Sequence, residues 1–268
     1  MRGDILKSGQ TTTDNQSLTT ILSLQNITKS FDGVVALDGV NLEFGKGSVN
    51  AIIGPNGSGK TTLFNVISGF LKPDFGKVVF RGKNITYLSP YRIARRGIGR
   101  TFQLIRIFSR MTVMENMLLA LENARKEGLF YALNPLVKYD STSLEEKAVK
   151  LISLGEIEDK ADELAINLSH GQRRLLEILR AIALNADLYL FDEPTAGVFP
   201  EVRERILKIF DSLKDEGKTI IFIEHNMETV RDAERVIVLD KGQVIADGFP
   251  GEVLESDVVI DAYFGGAK

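Results

Sequence analysis

The sequence predicts an α/β fold, in which a mostly parallel sheet carries helices on both of its faces. Short, mainly apolar runs at residues 49–53, 188–191 and 219–223 have the length of strands that are buried on both sides. Longer segments with helical spacing alternate with these runs, as at residues 172–184 and 201–216. Alternating strands and helices are typical of a parallel sheet, because each return path has to cross one face of the sheet.

The part of the chain before residue 100 predicts further elements. Alternation of apolar and polar side chains indicates strands, and a helix is expected after the glycine-rich segment that follows residue 53. In chain order these elements are strands 21–27 and 34–44, helix 60–70 and strand 78–80. Gly69 and Pro73 are expected to end the helix, since glycine and proline terminate helices.

The middle of the chain changes character. Residues 111–124 and 144–154 have helical spacing, and a connection that contains Gly, Pro and Tyr separates them. We therefore expect a helical segment that is inserted into the α/β fold. Near the end, residues 236–239 and 243–246 are expected to form a hairpin around Lys241 and Gly242.

Composition excludes several classes of function. The 268 residues suffice for a packed core, and a formal net charge of -3 argues against a dominant basic surface for nucleic acid. The sequence has no cysteine, which excludes disulfides and thiolate sites and fits a reducing cytosol. We find no apolar run of about 18 residues, so the sequence is not expected to span a bilayer by itself. Residues 1–20 are rich in Thr, Ser and Gln and are expected to form a disordered tail.

A glycine-rich motif follows the predicted strand at residues 49–53. Residues 54–61 read Gly-Pro-Asn-Gly-Ser-Gly-Lys-Thr, which fits the phosphate-loop pattern. Glycines let backbone N–H groups turn inward around phosphate oxygens, and the positive end of the following helix faces the same anion. Lys60 is expected to reach the terminal phosphates of ATP, and the Thr61 hydroxyl to ligate Mg²⁺. A simple glycine turn is the alternative, but it explains neither the spacing nor the lysine.

An acidic pair, Asp192 and Glu193, follows the predicted strand at residues 188–191. A parallel strand delivers its last residues to the carboxyl edge of the sheet, where ligands bind. Asp192 is expected to hold Mg²⁺ directly or through water, and Glu193 to orient and deprotonate the attacking water. Alone, the pair could equally be an exposed strand end or a helix cap. Its position in a chain with a phosphate loop favours catalysis.

Residues 167–172, Asn-Leu-Ser-His-Gly-Gln, complete the series of motifs. A loop of this kind, opening a helix after a phosphate loop, resembles the signature motif Leu-Ser-Gly-Gly-Gln of ABC ATPases. Ser169 can contact phosphate while it caps the helix, and Gly171 permits close backbone approach. His170 stands where the family has its first glycine, and this departure bears on the geometry of the loop.

The resemblance implies further site residues. Phe31 matches the aromatic that stacks on adenine, although a core aromatic is the alternative. Gln103 matches the glutamine that senses Mg²⁺ and the γ-phosphate, and His225 the switch histidine that positions the water. The implied ATP contacts are Phe31, Asn56, Gly57, Ser58, Gly59, Lys60, Thr61 and Thr62, with Ser169, Gly171 and Gln172 from a partner subunit. The implied catalytic residues are Lys60, Gln103, Glu193 and His225, and the Mg²⁺ ligands are Thr61, Gln103 and Asp192. Residues 195–198 occupy the D-loop position but lack the Asp that the family usually carries there.

The resemblance covers about residues 21–265 and implies a P-loop NTPase fold, with an antiparallel β subdomain and an inserted helical subdomain beside the mostly parallel sheet. It divides one cassette, residues 21–268, into an α/β core at 21–103 and 167–251, a helical insert at 104–166 and a C-terminal extension at 252–268. It also implies a head-to-tail dimer with a second ABC ATPase subunit, identical or homologous. Each ATP would lie between the phosphate loop of one subunit and residues 169–172 of the other.

One branch of the family is indicated by residues 97–103, 108–116 and 257–265, which resemble the ATP-binding subunits of branched-chain amino acid importers. This resemblance implies two membrane permeases that dock on the helical insert and an extracytoplasmic binding protein. It also implies a peripheral position at the cytoplasmic face of the inner (plasma) membrane, and no nucleic acid partner. Sister systems for urea, amides or other amino acids stay open. Apolar residues of the insert are expected in the core, with some in a docking groove: Ile105, Ile107, Phe108, Met111 and Met114.

Three other functions fit the motifs less well. A non-transport ABC ATPase, for example in cluster assembly, is compatible with the length, but the sequence has neither a long coiled-coil insertion nor a second cassette. A nucleotide-dependent regulatory module with little turnover would draw on His170 and the altered D-loop. A P-loop kinase would leave the motifs after residue 160 unexplained.

Overall fold

A computed structural model of the chain describes residues 20–125 and 141–264. The expected disordered tail lies outside the described residues except for Thr20. The connection between the two predicted helices of the insert, and the last four residues of the C-terminal extension, also lie outside them.

Strands and helices alternate through the described part of the chain. The strands are β1 Thr20–Phe31, β2 Val34–Gly45, β3 Val49–Ile53, β4 Phe75–Phe80, β5 Lys83–Asn84, β6 Ile98–Arg100, β7 Leu188–Asp192, β8 Thr219–Ile223, β9 Arg235–Asp240 and β10 Gln243–Gly248. The helices are α1 Lys60–Ile67, α2 Pro90–Ala94, α3 Val113–Arg125, α4 Ser141–Leu154, α5 His170–Ile182, α6 Pro200–Asp215, α7 Met227–Arg231, α8 Pro250–Leu254 and α9 Asp257–Phe264.

The central sheet has six strands in the order β10-β9-β3-β8-β7-β6. Every neighbouring pair is parallel except β10 and β9, which form the predicted hairpin. All residues of β3, β7 and β8 are buried, which confirms the prediction made from their apolar runs. Because these strands are parallel, their carboxyl ends meet at one edge of the sheet.

A second sheet is antiparallel, with the order β2-β1-β4-β5. Its apolar side chains pack with α1 against one face of the central sheet, so that Leu24, Phe64 and Leu190 belong to one core. The opposite face is covered by α5, α6 and the insert, where the ring of Phe210 lies 4.9 Å from that of Phe191. Both predicted parts, the helix-flanked parallel sheet and the antiparallel β subdomain, are therefore present.

The helical insert shares the second core. Helices α3 and α4 confirm the helical spacing, and Val113, Met117 and Ile152 pack in the same buried cluster as Leu179 of α5. Ile107 and Met114 pack against this cluster, whereas Phe108 is largely exposed. None of the helices in the two described ranges has the length and apolar character required to cross a bilayer.

The ends of several elements differ from the prediction. Helix α1 ends at Ile67 rather than at residue 70, because Gly69 takes a left-handed conformation with φ +77° and directs the chain away. Helix α5 begins two residues earlier than expected, directly after Ser169. Strand β6 was not predicted, because three residues that include Gly99 give no periodic signal.

Candidate functional site

The predicted phosphate loop connects the carboxyl end of β3 to the start of α1. Gly59 precedes the helix with φ +105°, and a Cβ atom at this position would lie 2.4 Å from the carbonyl oxygen of Ala36. Gly57 is also left-handed, with φ +81°. The loop therefore requires glycine for two reasons, backbone conformation and the close approach of β2.

Lys60 folds back into the loop that precedes it. Its Nζ donates hydrogen bonds to the carbonyl oxygens of Gly54 at 2.8 Å and Pro55 at 2.9 Å, and lies 3.4 Å from the Ser58 hydroxyl. Burial lowers the pKa of Lys60, and the carboxylates of Glu193 and Asp192 oppose this shift. The ammonium group is thus held at the loop by carbonyl dipoles and faces the predicted acidic pair.

The other predicted residues of the phosphate loop differ in exposure. Asn56, Gly57 and Thr61 are exposed, Thr62 is half-buried, and Ser58 is buried. The backbone carbonyl of Ser58 accepts a hydrogen bond from the N–H of Gly242, so the β9–β10 turn supports the loop from behind. The exposed side of the loop is the side that can meet a ligand.

Asp192 is the last residue of β7, and its side chain is buried beside Arg100. Arg100 Nη2 lies 3.6 Å from Asp192 Oδ2, and the Asp192 N–H donates to the Thr101 hydroxyl at 3.3 Å. Burial raises the pKa of the Asp192 carboxyl, while Arg100 opposes that rise. The guanidinium of Arg100 also donates to Asn65 of α1 and to Ser68, which caps the end of α1, so it joins the acidic strand end to the phosphate-loop helix.

The predicted catalytic residues Gln103, Glu193 and His225 meet at one carboxylate. Gln103 Nε2 lies 3.4 Å from Glu193 Oε2, and His225 Nε2 lies 3.5 Å from Glu193 Oε1. Glu193 has a left-handed backbone with φ +50°, an uncommon conformation for a residue with a Cβ, and its N–H donates to the carbonyl of Ile223 at 3.0 Å. The strained residue lies directly after the strand, and its carboxylate is partly exposed to solvent.

Ser169 caps helix α5 through a capping box. Its hydroxyl accepts from the Gln172 N–H at 3.2 Å, and the Gln172 side chain accepts from the Ser169 N–H at 2.9 Å. Gly171 faces α6, where an added Cβ would meet Val202 at 2.9 Å. His170 is exposed, and its Nε2 lies 3.4 Å from the carbonyl oxygen of Ala196 in the 195–198 loop. These contacts involve α6 and the 195–198 loop, and none of them is with the phosphate loop.

Phe31 ends β1 at the hairpin that leads into β2, and 40% of its surface is exposed. The ammonium of Lys29 lies 5.4 Å from the centre of its ring. Strand β2 continues from this hairpin to Ala36, whose carbonyl touches the phosphate loop at Gly59. An exposed ring on this path, rather than a core ring, is compatible with stacking.

Two residues that the motifs do not single out also contact the site. Arg100 bridges α1 and Asp192, as described above. Glu224 is 2% exposed, and it accepts hydrogen bonds from Thr195 and His225. A sequence signal for Glu224 does exist, because this acid directly follows the buried strand β8 as Asp192 ends β7.

Comparisons with known proteins agree with this geometry. The family model described as "ABC transporter" matches residues 37–196. The probable branched-chain amino acid transport ATP-binding protein LivG of Archaeoglobus fulgidus is 40% identical over 91% of this chain and 95% of its own length. An ATP-binding cassette of an ABC transporter, solved in its ADP conformation, has a TM-score of 0.80 and 39% identity and covers 92% of this chain and 99% of its own. A dimeric cassette solved after hydrolysis with ADP and Pi has a TM-score of 0.75 and 28% identity, over 86% and 99% of the two chains.

Proposed function

The chain belongs to the ABC transporter family, and from this premise we propose that it is the ATP-binding and ATP-hydrolysing subunit of an importer for branched-chain or related amino acids. The observation that carries the proposal is the meeting of Gln103 and His225 at the Glu193 carboxylate, next to a lysine-containing phosphate loop. The solute class is supported by the name of the LivG relative, which is similar to this chain along most of its length.

The phosphate loop would bind the triphosphate of ATP. The exposed backbone of Asn56 and Gly57 and the start of α1 present N–H groups to an anion. Lys60 would exchange its carbonyl partners for phosphate oxygens, which are stronger acceptors because they are charged. Phe31 would cover the adenine, since its ring is exposed on the hairpin beside the loop.

Three residues fit Mg²⁺ because of their donor atoms. Asp192 offers a carboxylate, Thr61 a hydroxyl and Gln103 a side-chain carbonyl, and Mg²⁺ prefers such oxygen ligands. The buried Arg100 offsets the charge of Asp192 from the other side. When bound, Mg·ATP supplies the phosphoryl group and a cation that neutralises its charge.

Glu193 would orient the attacking water and remove its proton. The His225 ring would hold the Glu193 carboxylate on one oxygen, and the Gln103 amide on the other. Because both oxygens of the Glu193 carboxylate are held, the side chain loses little conformational entropy when the water binds. This positioning would lower the activation free energy of hydrolysis. Gln103 also lies at the start of the insert, so nucleotide binding and the insert would be coupled through it.

The Ser169 loop would serve the ATP of a second cassette in a head-to-tail dimer. A related cassette has been solved as a dimer with ADP and Pi, which supports dimerisation. Ser169 and Gln172 satisfy each other in the capping box, which keeps the helix start exposed and ordered. Gly171 allows α5 to approach Val202 of α6, and it would also admit phosphate oxygens to the helix start.

The permeases would dock beside the insert, on a groove lined by Phe102, Arg106, Ala120, Arg180 and Leu184. Phe108 is exposed beside this groove, where the guanidinium of Arg180 lies 4.8 Å from the centre of its ring, and Leu104 is exposed between Phe102 and Arg106 in the sequence. Exposed apolar side chains with cations around them are typical of an interface with another protein. Docking here would hold the chain at the cytoplasmic face of the membrane, with an extracytoplasmic binding protein on the other side.

ATP hydrolysis by the purified protein and by the variant Glu193→Gln tests the enzymatic part. Gln keeps the size of the side chain but cannot accept the proton, so we expect hydrolysis to fall by about 100-fold or more while ATP still binds. We also expect the variant to accumulate as an ATP-bound dimer in size-exclusion chromatography. Glu252→Gln, an exposed glutamate of α8, is the matched control. Equal turnover in the Glu193 variant and the parent would refute the base assignment.

Transport tests the solute class. The chain is co-expressed with candidate permeases and a candidate binding protein, and the purified complex is placed in proteoliposomes. We expect ATP-dependent uptake of labelled leucine, isoleucine or valine that disappears with Glu193→Gln. An active ATPase that purifies without any permease would instead favour a non-transport member of the family.

A further inference from the structure

Glu224 is a buried acid to which neither the motifs nor the proposed mechanism give a role. It follows the last residue of β8 and precedes His225, and only 2% of its surface is exposed. A carboxylate in such a position is costly unless hydrogen-bond donors surround it. The identity of those donors therefore indicates what the residue does.

The two oxygens of Glu224 accept hydrogen bonds from two different loops. Oε1 accepts from the N–H of Thr195 at 2.7 Å and from the Thr195 hydroxyl at 2.6 Å. Oε2 accepts from the N–H groups of His225 at 3.1 Å and Asn226 at 3.4 Å. One carboxylate thus joins the loop after Glu193 to the loop that carries the switch histidine.

These connections form a closed ring around the candidate catalytic pair. Thr195 lies two residues after Glu193, and the ring of His225 reaches Glu193 Oε1 at 3.5 Å. The path from Glu193 to Thr195, Glu224 and His225 returns to Glu193. A change in length at Glu224 would therefore change the separation of Glu193 and His225.

The same loop reaches the start of α5. Ala196, the neighbour of Thr195, has its carbonyl oxygen 3.4 Å from His170 Nε2. Glu224 thus fixes one end of the 195–198 loop, and His170 contacts the next residue from the Ser169 side. The loop is therefore held by contacts with Glu224 and His170 of its own chain.

We propose that Glu224 is a positioning residue, which sets the distance between Glu193 and His225 by holding the backbones of both loops. The proposal rests on the proposed ATPase function for its effect on turnover, whereas the hydrogen bonds of Glu224 to both loops lie within this chain. A glutamine at this position would present an NH₂ group to one of the two loops, whose N–H groups are themselves donors. At least one loop would lose its acceptor.

The first measurement is the kinetics of Glu224→Gln. We expect kcat for Mg·ATP hydrolysis to fall roughly 10- to 100-fold, as for a small misplacement of catalytic groups, with ATP affinity within about threefold of the parent. Affinity should persist because the phosphate loop does not contact Glu224. Thr219→Val is the matched control, since Thr219 is buried at the opposite end of β8 and its hydroxyl accepts from Gly47. The control should lose stability but keep kcat.

The second measurement uses the two histidines of the chain. With ¹³C-labelled histidine, the ring signals are assigned by the variant His170→Gln and recorded without nucleotide. We expect Glu224→Gln to shift or broaden the His225 signal, and Thr219→Val to leave it in place. This readout is independent of hydrolysis, so a chain that hydrolyses no ATP would contradict the proposed function without deciding the role of Glu224.

Three results would overturn the proposal. The first is a Glu224→Gln variant with the kcat of the parent, provided that the parent hydrolyses ATP, and the second is a His225 signal that does not change in that variant. The third is a Thr219→Val control that loses as much kcat as Glu224→Gln. A loss of ATP affinity that matches the loss of kcat also overturns it. If Glu224→Gln does not fold, Thr195→Val decides. It keeps the backbone hydrogen bond and removes the hydroxyl, which donates to Glu224 Oε1 and also lies 3.1 Å from the Thr229 hydroxyl. We expect about a threefold or larger loss of kcat at unchanged affinity. Parental kcat in that variant would end the proposal.

Discussion

Helices α1 and α5 both begin at a loop that is proposed to meet phosphate, but the two helix starts are stabilised differently. Helix α1 follows Gly59, which has a left-handed backbone and makes no side-chain capping hydrogen bond. Helix α5 follows Ser169, whose hydroxyl and backbone are both paired with Gln172. The free N–H groups at the start of α1 therefore need a partner other than a capping side chain. At the start of α5, the capping box already provides partners for some of these groups.

This difference indicates how much each of the two half-sites contributes to nucleotide binding. At α1 the loop geometry is enforced by glycines and by the contact with Ala36, and Lys60 is held at the loop by the carbonyls of Gly54 and Pro55, where the proposed phosphate would bind. At α5 the helix start is stable without ligand, and an anion would be an addition to the cap. We infer that α1 provides most of the nucleotide affinity and that α5 contributes when a second subunit closes.

The largest effect is expected for Lys60→Ala, which removes the cation of the α1 half-site. Hydrolysis should fall by about 100-fold or more, and ATP affinity should fall with it, because the lysine would contact the phosphates before and during the reaction. The measurements are ATPase rate and equilibrium ATP binding. Lys72→Ala is the matched control, since Lys72 also donates to backbone carbonyls, those of Gly69 and Leu88, beyond the other end of α1. Similar losses in both variants would show that general damage, and not phosphate contact, is responsible.

The next largest effect is expected for alanine substitutions of two glycines in the phosphate loop, which separate the cost of a left-handed backbone from the cost of a steric clash. Gly57 and Gly59 both have a left-handed backbone, but an added Cβ meets no atom within 4 Å at Gly57 and lies 2.4 Å from the Ala36 carbonyl at Gly59. Gly57→Ala should lower the free energy of unfolding by about 1 kcal/mol, and Gly59→Ala by about 3 kcal/mol. Urea denaturation measures both. Equal losses would mean that the contact with β2 is easily relieved.

The local parts of the site could be predicted from residue patterns alone, whereas Gln103 and His225 are placed at the site only through the family resemblance. The change from the apolar run of β3 to Gly54, Lys60 and Thr61 predicts strand, loop and helix because the signal lies within a few residues. The contact between Gln103 and Glu193 joins residues 90 positions apart, and it depends on β6, which is too short to give a period. Glu224 is a partial case: its position after a buried strand gives a signal, but Thr195, the donor to one of its oxygens, belongs to a loop that the sequence pattern does not bring near.

A third prediction tests the α5 half-site and uses two substitutions of Ser169. Ser169→Ala removes the cap and should lower the free energy of unfolding by about 1 kcal/mol. Ser169→Asp keeps a capping oxygen, so stability should stay near that of the parent. Its negative charge would repel the triphosphate of a partner's ATP, so ATP-dependent dimerisation of the Glu193→Gln background should be lost. A stable Asp variant that still dimerises with ATP would contradict a role of Ser169 at the second half-site.

The smallest effect is expected at α6, another helix that begins near the site. Its N-cap is Phe199, which makes no side-chain capping hydrogen bond, and its ring is 79% exposed. Phe199→Asp would supply a capping oxygen at a position where Asp is among the preferred residues, and it would add a negative charge at the positive end of the helix. Glu201 in the first turn already carries such a charge and would repel the new one. We therefore expect a gain in the free energy of unfolding of about 0.5 kcal/mol, at the low end for an N-cap.

Phe199→Ala separates the cap from the ring. Because the ring is exposed in the single chain, its removal should change the free energy of unfolding by less than about 0.5 kcal/mol. Both variants are measured by urea denaturation without nucleotide, where the chain is expected to be a monomer. A stability gain for Phe199→Asp together with no change for Phe199→Ala would mean that a capping residue could stabilise α6 but is not used there, unlike at α5. The Phe199 ring would then be retained for a reason other than the stability of the monomer. A loss above about 1 kcal/mol for Ala would instead show that the ring packs on its own chain, and the contrast between the capped α5 and the uncapped α6 would then reflect packing alone.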